Sequence, residues 1–86
     1  MSSFNLTVIT PEKIVYDAKA DMVVVPGKEG ELGILPRHIP LISVLKKGEI
    51  KIKRKEKEEK KIEIEKGFIK VEKKGVEILA QSTVNS

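Results

Sequence analysis

The chain has 86 residues, enough for one small core, with a formal net charge of +4 and 35% charged residues. It contains no cysteine, which excludes disulfides and cysteine-ligated metal sites. The charges are mostly Lys and Glu and the aliphatics lean to Ile and Val, a bias that fits a heat-adapted source and carries no functional information.

The N-terminus "MSSFNLTVITPEK" has no basic start followed by an apolar run, so no signal peptide is expected. No apolar run approaches the roughly 18–20 residues of a membrane span, and the chain reads as a soluble protein without direct membrane insertion. From there the dominant period is two. "FNLTVIT" sets Phe4, Leu6 and Val8 against Asn5 and Thr7. "IVYDAKADMVVV" puts Ile14, Tyr16, Ala18, Ala20, Met22 and Val24 on one face. After the stretch "GELGILPRHIPLI", the run "PLISVLKKG" reads equally as one helical turn or a strand. "EIKIKRK" and "KIEIEK" alternate Ile against Lys and Ile against Glu, and "FIKVEK" and "VEILAQ" continue in the same style. Every Gly and Pro is read as falling between the runs.

This pattern predicts an all-β fold, an antiparallel two-sheet β-sandwich of about ten short strands, as a single domain over residues 1–86. The expected core is Leu6, Val8, Ile14, Val24, Ile34, Leu41, Ile50, Ile52, Ile64, Ile69, Val71 and Ile78. The charged segment from Lys46 to Lys61 reads as a hairpin with its tip near Lys55–Lys60. Keeping Ile50 and Ile52 on one face with Ile62 and Ile64 sets a row of lysines against a row of glutamates outside.

Chemistry is sparse. His38 is the only histidine, with no second His or Cys to share a metal, so no metal site and no catalytic set is expected. The serines and threonines lie in no G-x-S-x-G elbow. "GKEGELG" has the wrong spacing for a phosphate-binding loop, and no cofactor is expected. Net positive charge raises an alternative, a small basic OB-like nucleic-acid-binding domain. Against it, Phe4, Tyr16 and Phe68 are the only aromatics for base stacking, and glutamates interleave the basic hairpin.

The run "VPGKEGELGILPRHIPLISVLKKGEIKI", Val25 to Ile52, resembles the signature region of the epsilon subunit of F-type ATP synthases. That family shows P-G-x-E-G-E-L-G-I-L-P-G-H-x-P-L, matched here by Gly27, Glu29, Gly30, Glu31, Leu32, Gly33, Ile34, Pro36, His38, Pro40 and Leu41, with Gly48 following. "FNLTVITPEKIVYDAKADMVVVP" looks like the family's opening hairpin and "KGFIKVEKKGVEILAQ" like its closing strands. Arg37 stands where the family commonly has glycine, which implies a backbone that needs no left-handed conformation there. Family members commonly continue into a two-helix hairpin that inhibits ATP hydrolysis and in some binds ATP; the sequence here ends at Ser86, so neither role is carried over.

The resemblance implies a β-sandwich in the rotor's central stalk, with the gamma subunit and the c-ring as partners. It implies a non-catalytic subunit that couples proton or sodium translocation to ATP synthesis carried out by other subunits. It also implies a peripheral location on the cytoplasmic face of the bacterial plasma membrane. The stretch from Gly30 to Pro40 is expected to be a loop presenting Glu31, Arg37 and His38 to partners. Leu32, Ile34 and Leu35 are expected in the core.

Overall fold

The computed structural model describes residues 3–82, except for the side chain of Ser82. Residues 1–2 and 83–86 of the expected domain lie outside the described residues. Every regular element described is a strand: β1 (Phe4–Ile9), β2 (Ile14–Ala20), β3 (Met22–Gly27), β4 (Gly30–Ile34), β5 (Leu41–Leu45), β6 (Gly48–Lys53), β7 (Lys60–Glu72) and β8 (Gly75–Ser82). Within the ambiguous run, "LISVL" is thus a strand, as its β-branched residues favour.

β7 organises the molecule. Its first part, Lys60–Ile64, pairs with β6, and its second, Gly67–Val71, pairs with β5. The other edge of the second part pairs with β8, which continues to β1 and β2. On the β6 side the order runs on to β3 and then β4. Gly27 of β3 pairs with Leu45 of β5, reinforced by Lys28 N–H to the Val44 carbonyl at 3.0 Å and Lys46 N–H to the Pro26 carbonyl at 2.9 Å. β3, β5, β7 and β6 therefore close on one another, and the hydrogen-bonded sheet folds over into a two-layer sandwich. One cluster fills it, including Leu6, Val8, Leu45, Ile50, Ile52, Ile64, Ile69 and Ile78. Each fully buried aliphatic contributes about 1.5–3 kcal/mol relative to leaving it exposed.

Several expectations need correction. Among the described residues there are eight strands where about ten were expected, and β1 runs parallel to β8 in an otherwise antiparallel arrangement. Pro26, Gly27, Gly30, Gly33 and Gly67 lie inside strands, not between them. Gly27 and Gly67 are there because close backbone neighbours leave no room for a Cβ.

The buried face also changes phase. Ala20 is buried, then Val23 and Val25, because Asp21 is spent between β2 and β3, where its N–H bonds the Lys53 carbonyl at 2.9 Å. This one-residue step moves Val24 to the half-buried side and brings Val23 and Val25 inside. Ile14 is 58% exposed and Leu35 54%, while Leu41 and Leu32 pack against the core only in part.

The charged hairpin forms where expected, with Ile50 opposite Ile62. Its outer pairs differ from expectation: Lys51 faces Lys61 and Glu49 faces Glu63. Like charges directly opposite are unfavourable, and the opposite-charge neighbours are diagonal.

Candidate functional site

Glu31, Arg37 and His38 do not form one loop. Glu31 is on β4, opposite Pro26, just after the two-residue turn Lys28–Glu29. Gly30 closes that turn at φ +135°, a conformation L side chains rarely adopt. The Glu31 carboxylate lies 3.9 Å from Lys51 Nζ on β6, with the Glu31 side chain largely exposed. β4 then runs to Ile34, and only residues 35–40 are irregular.

Arg37 and His38 sit in that irregular segment and line the same concavity, which Glu31 does not reach. Arg37 has φ +67°, against the expectation that arginine here marks a backbone outside the left-handed region. The chain keeps the glycine-type turn and places a guanidinium on it, at a cost of order 1–3 kcal/mol. His38 Nδ1 is 2.8 Å from the carbonyl of Ile39. A carbonyl only accepts, so Nδ1–H is the donor in this contact.

A second surface was not singled out from sequence. Val44 of β5 is opposite Phe68 of β7, Phe68 opposite Leu79 of β8, Leu79 beside Ile9 of β1, and Ile9 opposite Ile14 of β2. Val44, Phe68, Leu79 and Ile9 form one apolar row across four adjacent strands, on the face away from the core; Ile14, past the register shift at Val8–Ile9 and in phase with the buried Tyr16 and Ala20, lies outside it. Val44 is 56% exposed, Phe68 48% and Leu79 41%. A shallow depression of about 550 Å³ runs along it, lined by Ile9, Pro11, Val44, Phe68 and Leu79 among others. An apolar row this continuous on an outer sheet face marks a surface that meets something.

The sequence did carry a signal for it. "ISVL", "GFI" and "ILA" place apolar residues at both parities of a strand, which means both faces are apolar.

The same face changes character along the strands. One step from the apolar row, Lys70 is opposite Glu77, Glu77 beside Thr7, and Thr7 opposite Asp17. A further step brings Asn5 opposite Lys19, beside the Lys73–Lys74 turn and the 35–40 segment. Apolar, mixed and cationic bands thus succeed one another. Among the described residues, no group of three or more His, Cys, Asp or Glu is placed to hold a metal ion.

The model of the ATP synthase delta/epsilon chain β-sandwich domain matches residues 3–86. The chain belongs to this family. It is 40% identical over 82 residues to the ATP synthase epsilon chain of Brevibacillus brevis, covering 95% of this chain and 62% of that one. It is 41% identical over 86 residues to the epsilon chain of Moorella thermoacetica, covering 100% of this chain and 64% of that one. The chain therefore spans a little under two thirds of these relatives. In fold, this delta/epsilon-type sandwich is similar to a chain in the Euglena gracilis mitochondrial ATP synthase structure of OSCP, F1 and c-ring. That similarity has TM-score 0.86 at 20% identity, over 93% of this chain and 51% of the other. A chain of the Tetrahymena thermophila mitochondrial ATP synthase central stalk and c-ring gives TM-score 0.78 at 21% identity, over 94% and 65%.

Proposed function

We propose that the chain is the β-sandwich part of a non-catalytic rotor subunit of an F-type ATP synthase. It holds the gamma subunit to the c-ring and couples proton or sodium translocation to ATP synthesis on other subunits. The observation that carries this reading is the outer-face row Val44–Phe68–Leu79–Ile9 in a member of the delta/epsilon family. A coupling subunit must grip two partners at once. The row supplies one grip, by apolar burial against the gamma subunit. The opposite end of the strands supplies the other: Arg37 and His38, on a segment stiffened by Pro36 and Pro40, for the polar surface of the c-ring; Glu31, opposite Pro26 and so near Leu45, is a separate candidate contact with the ring. Proline fixes φ near −65°, so such a segment loses less entropy on docking.

The reading places the protein peripherally, on the cytoplasmic face of a bacterial plasma membrane. Among the described residues no helix is long and apolar enough to cross a membrane. The nucleic-acid alternative is not favoured. Its basic hairpin carries Glu56, Glu58, Glu59, Glu63 and Glu65 among the lysines, and an acidic side chain repels phosphate. Co-purification tests the proposal: tagged chain should retain the gamma subunit in stoichiometric amount. Retention of nucleic acid near 150 mM salt, without gamma, would reverse it.

A further inference from the structure

We propose that the concavity between the 35–40 segment and the β7–β8 turn is a binding site for a phosphate-bearing anion. Four segments distant in sequence build it: the start of β1, the end of β2, residues 35–40 and the turn at Lys73–Lys74. Its volume is about 750 Å³. That is within the usual range of small-molecule sites, about 300–1,000 Å³.

The charge is one-sided. Lys19, Arg37, Lys73 and Lys74 all line the concavity, and none of the four side chains has an ion-pair or hydrogen-bond partner among the described residues. The sole carboxylate in the lining, Glu72, is already engaged, 3.5 Å from Lys70 Nζ. Elsewhere the surface mixes its charges, as at Lys51 beside Glu31 and along the β6–β7 hairpin. Here four cations share one hollow with no free acid between them, an arrangement that repels itself unless an anion enters.

The backbone supports the same conclusion. Arg37 holds φ +67°, which costs free energy for any residue with a Cβ. Glycine would take that conformation without cost, so the guanidinium itself is what the position gains. Its planar fork suits a phosphate oxygen pair, while the lysines act as point charges around it. The floor includes Phe4, Leu35, Pro36 and Pro40, so the carbon part of an organic phosphate has an apolar wall to lie on. This proposal rests on the concavity and not on the rotor reading, although it uses Arg37 and His38, the same two side chains that reading offers to the c-ring.

The test is a two-dimensional NMR titration of the 86-residue chain with sodium pyrophosphate at about 100 mM salt, alongside flotation with phosphatidylglycerol or pure phosphatidylcholine vesicles. Pyrophosphate should saturably shift the amides of Lys19, Arg37, His38, Lys73 and Lys74. Arg37→Gly, which the local backbone accommodates, should weaken binding about tenfold, the loss of one charge-assisted hydrogen bond. Lys61→Ala, an equal change in net charge on the outer face of β7, should leave it unchanged. Flotation with phosphatidylglycerol that Arg37→Gly abolishes assigns the phosphate to a lipid headgroup; pyrophosphate binding without flotation assigns it to a soluble phosphate compound. Shifts spread over the hairpin lysines, the absence of saturation, or equal binding by Arg37→Gly would each overturn the site.

Discussion

The Cα of Gly67 lies against the carbonyl oxygen of Leu79, so close that a methyl group on it would overlap that oxygen. The contact falls where β7 passes from its β6 partner to its β5 partner and where the β7–β8 register shifts, between Ile64 and Lys66. Gly67 lets β7 serve both layers while β8 stays in hydrogen-bonding reach. Gly67→Ala should therefore destabilise by about 1–3 kcal/mol, the range for forced overpacking. For a domain of this size each kcal/mol lowers the melting temperature by roughly 4–8 °C. A thermal melt checks it. Lower chain entropy in the unfolded state pushes alanine the other way by about 0.4–1 kcal/mol, so an unchanged or raised melting temperature means the strands simply part.

Arg37 offers the opposite case. Arg37→Gly removes the left-handed strain but adds unfolded-state entropy, and the two terms are similar in size. Stability should stay within about 1 kcal/mol of the parent by urea unfolding. Arg37→Val at the same φ of +67° should lose about 1–3 kcal/mol, because a β-branched side chain fits that region worst. Equal stability of the glycine and valine variants would show that the turn relaxes freely.

Glu31→Lys replaces an exposed pair, Glu31 with Lys51 at 3.9 Å, by two like charges. Exposed pairs of this kind contribute roughly 0.2–1 kcal/mol, so the melting temperature should fall slightly at low salt and recover at high salt. In an assembled complex the same variant should loosen proton pumping from ATP hydrolysis. Reduced coupling with an intact melt places Glu31 at the ring. Unchanged coupling makes it a solvated strand residue.

Ile50 is fully buried at the centre of β6, paired with Ile62. Ile50→Ala should cost about 2–5 kcal/mol, a large share of a small domain's stability. Guanidinium unfolding checks it, and a loss below about 1 kcal/mol would mean that the site collapses around the smaller side chain.

The all-β character was legible because alternation survives wherever one face is buried and the other wet. It held through Leu6–Val8, Ile50–Ile52 and Ile69–Val71. It failed at Asp21, where one unpaired residue flips the phase and no local signal announces it. It failed again where turn residues enter strands, since Pro26 and Gly27 are placed by the approach of β4, β5 and Gly48, not by their own preferences. The site was only half readable. The segment carrying Arg37 and His38 was visible as a motif, but its left-handed residue was hidden by a side chain that disfavours that conformation. The apolar row is assembled from four strands, and no single stretch of sequence shows register neighbours such as Phe68 and Leu79.

The row also supplies the most direct test of the central claim. Phe68 is 48% exposed on the outer sheet face and contributes little to the core, so Phe68→Glu should leave the fold and the melt nearly unchanged. A buried aromatic anchor at an interface is worth 2 kcal/mol or more, which is about thirtyfold or greater in affinity. Calorimetric titration of the gamma subunit with the chain should give a one-to-one complex that Phe68→Glu weakens by at least about that factor. Failure of the parent chain to bind gamma, or equal binding by a folded Phe68→Glu variant, would contradict the stalk assignment of this face.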